Sequence, residues 1–250
     1  MKRAIIIGAS SGIGEQIARD LAEQGWTLGI AARRVEALEK IQNDYGADRV
    51  FIEQIDVNEP MATEALDRLV AKVAAPDLFF YASGLGGQNP QLEESLELRI
   101  VKTNCEGMVR VVDHFLNYVK QESRYTVKHK AHIAVITSVA GTAGIGTAPA
   151  YSASKKMQST YISALAQLCR MKKTPVVFSD IRPGFVDTAI LNPNKHYPMC
   201  MSRQKASKCI LKGLKRRRRV IIFDWRFVCL VAFWNLIPRW LWERLTFVKN

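Results

Sequence analysis

Short apolar, β-branched runs alternate along the first eighty residues with segments whose apolar positions recur at helical spacing. The runs are Ala4 to Ile7, Thr27 to Ala31, Val50 to Ile55 and Leu78 to Tyr81. Between them lie Gly14 to Gln24, Val35 to Asn43 and Pro60 to Ala74, which carry the i, i+3, i+4 recurrence of amphipathic helices. In the first, Ile17, Ala18, Leu21 and Ala22 make one stripe and Gly25 ends it. Strict alternation of strand and helix predicts parallel strands joined by right-handed crossovers, hence an α/β fold with helices on both faces of one sheet.

The rhythm continues downstream. Leu92 to Val119 is a long segment of helical period, and Ile133 to Thr137 reads as a buried strand ending at Ser138. Ser202 is placed to cap a helix running to about Leu214, with Ala206, Cys209, Ile210 and Gly213 inside, and Val220 to Phe223 is the expected last strand. No internal repeat or low-complexity linker interrupts this order. Residues 1–224 therefore read as one body, and residues 225–250 as an amphipathic C-terminal extension.

Composition changes this picture mainly at the tail. A chain of 250 residues, at about 150 residues per domain, is one α/β domain by default. Its 48% hydrophobic and 24% charged residues exclude a disordered chain, a collagen and a disulfide miniprotein. The net charge of +13 is uneven: from Met201 onward thirteen Lys and Arg face only Asp224 and Glu243, which leaves the first 200 residues near neutral. The same segment holds Trp225, Trp234, Trp240 and Trp242, four of the five Trp residues. Basic residues interleaved with aromatics point to an anionic membrane surface at least as strongly as to nucleic acid. The uncharged stretch Phe227 to Pro238 has 12 residues, whereas a spanning helix needs about 20. After Pro238, Arg239 to Leu245 reads as a short amphipathic helix, and the extension either docks on anionic lipid or packs on its own domain or a sister subunit, two readings that stand level.

The five cysteines (Cys105, Cys169, Cys200, Cys209, Cys229) are odd in number and contain no C-x-x-C pair, which fits a reducing cytoplasm. The four histidines (His114, His129, His132, His196) show no metal-ligand spacing, so no metal is assigned. Only Met1 to Arg3 precede the first apolar run, so secretion is not expected.

The first strand leads into G-A-S-S-G-I-G, with Gly8, Ser10, Ser11, Gly12, Ile13 and Gly14, and a helix follows at once. Glycines let the backbone turn sharply and approach a pyrophosphate, while the helix start offers free N–H groups and a positive dipole end. This context makes the sheet a Rossmann-type, doubly wound one of about seven strands. After the second strand, where a carboxylate would hold an NAD ribose, the chain reads Ala31, Ala32, Arg33, Arg34. Guanidinium groups suit a 2′-phosphate, so NADP is the expected cofactor; the plain alternative is a solvated strand end.

The G-x-x-x-G-x-G spacing and its surroundings resemble the short-chain dehydrogenase/reductase family, although Ile7 stands where that family usually has Thr. Residues 3 to about 190 take part in the resemblance. It implies that Asp56 and Val57 contact the adenine. The family's N-N-A-G element corresponds to Tyr81, Ala82, Ser83 and Gly84, with only the glycine kept. Ser138, Tyr151 and Lys155 match the catalytic serine and Y-x-x-x-K, and Asn104 matches the fourth catalytic position. By the same resemblance Pro183, Gly184, Val186 and Thr188 border the nicotinamide, Lys155 bonds its ribose, and Asn104 holds a water linking Lys155 to solvent. The variable substrate lid falls at about 185–214, including Asn192 to Pro198. Met199 and Met201, near Tyr197 and Cys200, either line an apolar substrate entry or belong to an ordinary loop.

The chemistry asks for these residue types. A ketone reduced by a nicotinamide needs a proton donor at its oxygen, and a phenol beside an ammonium is a better acid–base group near neutral pH than a phenol alone. The expected function is therefore an NADP-dependent oxidoreductase that interconverts a ketone and a secondary alcohol. A long-chain keto-lipid or lipid-linked sugar comes first among substrates because of the tail, and a small soluble ketone second. A catalytically silent NADP-binding sensor or scaffold, recruited to membrane by the basic tail, is the alternative; a nucleic-acid arm is the least favoured reading. The resemblance also implies a homodimer or homotetramer. Cytoplasm is the expected location, with peripheral contact at the inner face of the membrane.

Overall fold

The computed structural model describes residues 2–191 and 197–246. The four early apolar runs form β1 (Arg3–Ile7), β2 (Thr27–Ala32), β3 (Val50–Gln54) and β4 (Leu78–Tyr81). The segments between them form α1 (Gly12–Glu23), α2 (Val35–Tyr45) and α3 (Ala62–Val73). Next come α4 (Glu94–Val101), α5 (Gly107–Gln121), β5 (Ala131–Ile136), α6 (Pro149–Met171) and β6 (Val176–Ile181). The chain closes with α7 (Arg203–Lys215), β7 (Val220–Ile221), α8 (Trp225–Leu236) and the single turn α9 (Arg239–Trp242).

All pairings between these strands are parallel, in the order β3-β2-β1-β4-β5-β6-β7. The order reverses between β1 and β4, so their carboxyl ends part and open a crevice, which is where such sheets bind ligands. The strands read as nearly continuous apolar runs because both faces are covered. Ile5, Ile7, Phe79 and Tyr81 pack against α3, α5 and α6, with Phe79 stacked on Phe115 at 4.2 Å between ring centres. Ala4, Ile6 and Phe80 face the opposite way, onto Ile17 and Leu21 of α1 and Ile210 of α7.

Two elements differ in detail from the sequence reading. The long helical segment is not one α-helix: a π turn, Lys102–Glu106, joins α4 to α5 and contains Asn104. Apolar periodicity does not register one extra residue in a turn, and π turns gather at functional sites. The last strand stops at Ile221 because Asp224 adopts φ 84 and turns the chain into α8, whose first amides its carboxylate caps through Arg226 N at 3.0 Å. Ser202 caps α7 as expected, by accepting from the Lys205 amide.

The tail is two-faced. Phe227 and Val231 of α8 are buried with Val139, whereas Trp225 and Leu236 are 74% and 78% exposed. Among the described residues no helix is long and apolar enough to cross a membrane. Of the expected lid stretch Asn192 to Pro198, residues 192–196 lie outside the described residues, as does His196.

Candidate active site

The glycine loop is shaped by steric necessity. Gly8 has φ 90 and Gly12 φ 62, in the left-handed region where a side chain is strained. A Cβ on Gly14 would lie 2.2 Å from the Gly8 carbonyl oxygen, and one on Gly8 would lie 2.6 Å from the Ser83 nitrogen. The loop therefore runs tight against the end of β4. Ser11, the residue before α1, makes no side-chain cap, so the first amides of the helix keep their donors for an anion.

A groove of about 540 Å³ passes this loop. Its walls include Gly8, Ser10, Ser11, Gly12, Ile13, Gly14, Arg33, Arg34, Asp56 and Val57. Arg34 Nη2 donates to the carbonyl and hydroxyl oxygens of Ser10 at 3.2 and 3.3 Å, which holds one guanidinium over the loop. Gln54 fixes the neighbouring backbone by donating to the Arg33 carbonyl at 3.0 Å. A loop of helix-start amides with two arginines on the groove wall fits the phosphates of a dinucleotide.

A second cavity, of about 760 Å³, adjoins the groove and shares Ala82, Gly84, Ile136 and Thr188 with it. Ser138, Tyr151 and Lys155 face this space, as do Pro183, Gly184 and Val186. Ser138 stands two residues beyond the end of β5 and accepts from the Ala140 amide at 3.0 Å, which anchors its hydroxyl. Tyr151 and Lys155 stand one turn apart on α6, with Lys155 Nζ 5.8 Å from the centre of the tyrosine ring. Burial pushes the Tyr151 phenol up, and its hydrogen bond with Ser138 opposes that. Burial pushes Lys155 down to about 8, against the pull of Cys105 and Asp180. A neutral phenol beside an ammonium is a proton donor held ready at neutral pH.

Lys155 is buried and well tethered. It donates to the Ile136 carbonyl at 3.2 Å and to Gln158 Oε1 at 3.0 Å. Asn104 faces neither space. Its Oδ1 accepts from the Leu85 amide at 2.8 Å, and its Nδ2 donates to the Leu85 carbonyl at 2.8 Å and to Ser154 Oγ at 2.9 Å. Those bonds tie the π turn to the loop after β4 and to α6. A Cβ on Gly84 would come within 3.2 Å of Asn104 Oδ1 and 3.4 Å of Lys155 Nζ, so the retained glycine keeps this corner open.

Every candidate residue thus borders one of two adjoining spaces, except Asn104, which supports their common floor. Sequence reasoning missed Gln158 and Phe227. The signal for Gln158 was a polar residue on the inward face of α6, three positions after Lys155. Phe227 had none, because nothing in a tail segment announces that its ring will cover Gly184, where a Cβ would meet it at 2.2 Å.

A model of the short chain dehydrogenase family matches residues 2–197. The chain belongs to that family of oxidoreductases. A Myxococcus xanthus protein described as an uncharacterized oxidoreductase is 27% identical over 248 residues, 97% of this chain and 95% of its own length. An alcohol dehydrogenase from the archaeon Thermococcus sibiricus, solved with 5-hydroxy-NADP, superposes with a TM-score of 0.73 at 27% identity, covering 86% of this chain and 91% of that one. A short-chain dehydrogenase/reductase from Burkholderia phymatum, solved with NAD, gives 0.76 at 21% identity and 92% coverage of both chains. The last likeness bears on the fold alone.

Proposed function

We propose that this short-chain dehydrogenase is an NADPH-dependent carbonyl reductase that converts a long-chain, apolar ketone into a secondary alcohol. The observation that carries the reading is the meeting of Ser138, Tyr151 and Lys155 where an apolar cavity joins a groove ending in two arginines. When bound, the dihydronicotinamide supplies the hydride. Ser138 and Tyr151 hydroxyls hold the carbonyl oxygen, and Tyr151 gives that oxygen its proton as charge develops. Lys155 keeps positive charge beside the phenol and so stabilises the phenolate that results. Val186, Met199, Phe227, Leu230 and Trp234 line the far wall, a surface suited to a hydrocarbon chain. The reading requires one secondary alcohol per NADPH consumed, with apolar-tailed ketones preferred over charged ones. NADPH that binds without alcohol forming from any ketone would favour the sensor reading instead.

The exposed face of the tail supports a second element of the proposal, peripheral docking on anionic lipid. Trp225, Phe233, Leu236 and Trp240 stand exposed while Leu230 and Trp234 of the same segment line the cavity. Arg226 and Arg239 border them, paired with Asp224 and with Glu243, and Arg244 lies over the Trp240 ring. Apolar residues framed by cations match an acidic bilayer surface and would set the cavity mouth at a lipid substrate. The full chain should sediment with phosphatidylserine-containing vesicles and not with pure phosphatidylcholine, and Trp225→Ser with Leu236→Ser should weaken binding at least tenfold. Equal indifference to both vesicles would overturn docking. Steeply salt-dependent binding to duplex DNA in its place would assign the tail to nucleic acid.

A further inference from the structure

We infer that Gln158 is a positioning residue of the reduction, a side-chain bridge that fixes Lys155 against the π turn at Asn104. The inference rests on the reading of Tyr151 and Lys155 given above. Gln158 is fully buried on α6, where Ser154, Ile162 and Leu165 share its inward face. A buried amide is unfavourable there unless paired, and this one is paired at both ends. Its Oε1 accepts from Lys155 Nζ at 3.0 Å, and its Nε2 donates to the Asn104 carbonyl at 2.7 Å. The two partners also settle which way the amide points: an ammonium only donates and a backbone carbonyl only accepts.

The consequence is chemical. An amide accepts at oxygen and donates at nitrogen, but it does not give up or take on a proton at working pH. Two of the three Lys155 protons are held by Ile136 and Gln158, leaving the third for the side where Tyr151 and the cavity lie. After Tyr151 has given its proton to the product oxygen, the phenolate regains one from Lys155. Lys155 is then recharged by water. The charged and titratable groups facing Lys155 are Tyr151 from α6, Cys105 from the π turn and Asp180 from β6, the last already paired with Arg182.

The test compares Gln158→Leu and Gln158→Glu with the wild-type chain by two readouts. One is the NMR titration of Lys155, assigned by its loss in Lys155→Met, and the other is the pH profile of NADPH-dependent ketone reduction. In Gln158→Leu the ammonium loses an acceptor, so Lys155 should titrate about one pH unit lower and the alkaline fall in kcat should move with it. In Gln158→Glu a carboxylate faces the ammonium, and both should move upward. KM for the ketone should stay within about twofold in either variant. Lys155 titrating as in wild type in a folded variant overturns the inference, whatever the activity. A wild-type chain that reduces no ketone would sink the proposed function while leaving the titration to decide the bridge. Should Gln158→Leu fail to fold, Gln158→Glu alone decides by the direction of its shift.

Discussion

Replacing Tyr151 by Phe is expected to lower kcat for ketone reduction about a thousandfold, the middle of the range that a positioned proton donor contributes. The substitution removes one oxygen. The ring remains in its cavity wall, so NADPH affinity should change by less than about twofold. Ser138 does not take over, because an aliphatic hydroxyl is a far weaker acid than a phenol. The pH profile supplies a second signature. With Lys155 held at about 8, wild-type reduction should fall as pH rises through that value, because the ammonium that restores the Tyr151 proton is lost. The residual activity of Tyr151→Phe should not follow that limb. Activity preserved in the variant, or a wild-type rate that climbs above pH 8, would contradict the assigned acid.

The second large effect concerns the cofactor. Changing Arg33 and Arg34 together to Ala should weaken NADPH about a hundredfold and leave NADH within about threefold, as read by calorimetric titration. A charged hydrogen bond contributes about 1.5–3 kcal/mol, and each 1.4 kcal/mol is tenfold in affinity. Arg34 is already tethered over the loop by Ser10, so little side-chain freedom is lost when a phosphate arrives. The difference between the nucleotides should shrink as salt is added, since exposed charges are screened. Equal weakening of both nucleotides would assign the arginines to the loop's shape and not to a 2′-phosphate.

Much of this architecture was legible in the residues. Ala4 to Ile7 and Leu78 to Tyr81 are apolar at every position, as strands covered on both faces must be, and Gly8, Gly12 and Gly14 announce a turn that no side chain can enter. Tyr151 and Lys155 could be placed on one helix face by spacing alone. What escaped the sequence depends on contacts between distant elements. The π turn at Asn104 leaves the apolar period intact. The Gln158 bridge needs α6 and the π turn to be brought together, 54 residues apart. Phe227 lies over Gly184 because Asp224 turns the chain back across the sheet end, a local backbone choice that composition does not encode.

The tail shows the same division. Its basic and aromatic character was plain, but two readings, packing on its own body or presenting a surface, stood level. The structure gives α8 both faces, Phe227 and Val231 inward, Trp225 and Leu236 outward. Cavity wall and exposed surface are therefore parts of one helix, and a substrate emerging from lipid would meet both.

The reaction assigned to this site is hydride transfer to a ketone with Tyr151 supplying the proton. The most direct measurement is label transfer: the full chain is incubated with a long-chain ketone and NADPH deuterated at the reactive nicotinamide carbon, and the product is analysed by mass spectrometry. The expected product is a secondary alcohol with one deuterium at the carbinol carbon, formed about a thousandfold more slowly by Tyr151→Phe. NADPH bound but retained with its label, and no alcohol formed by the wild-type chain, would contradict it.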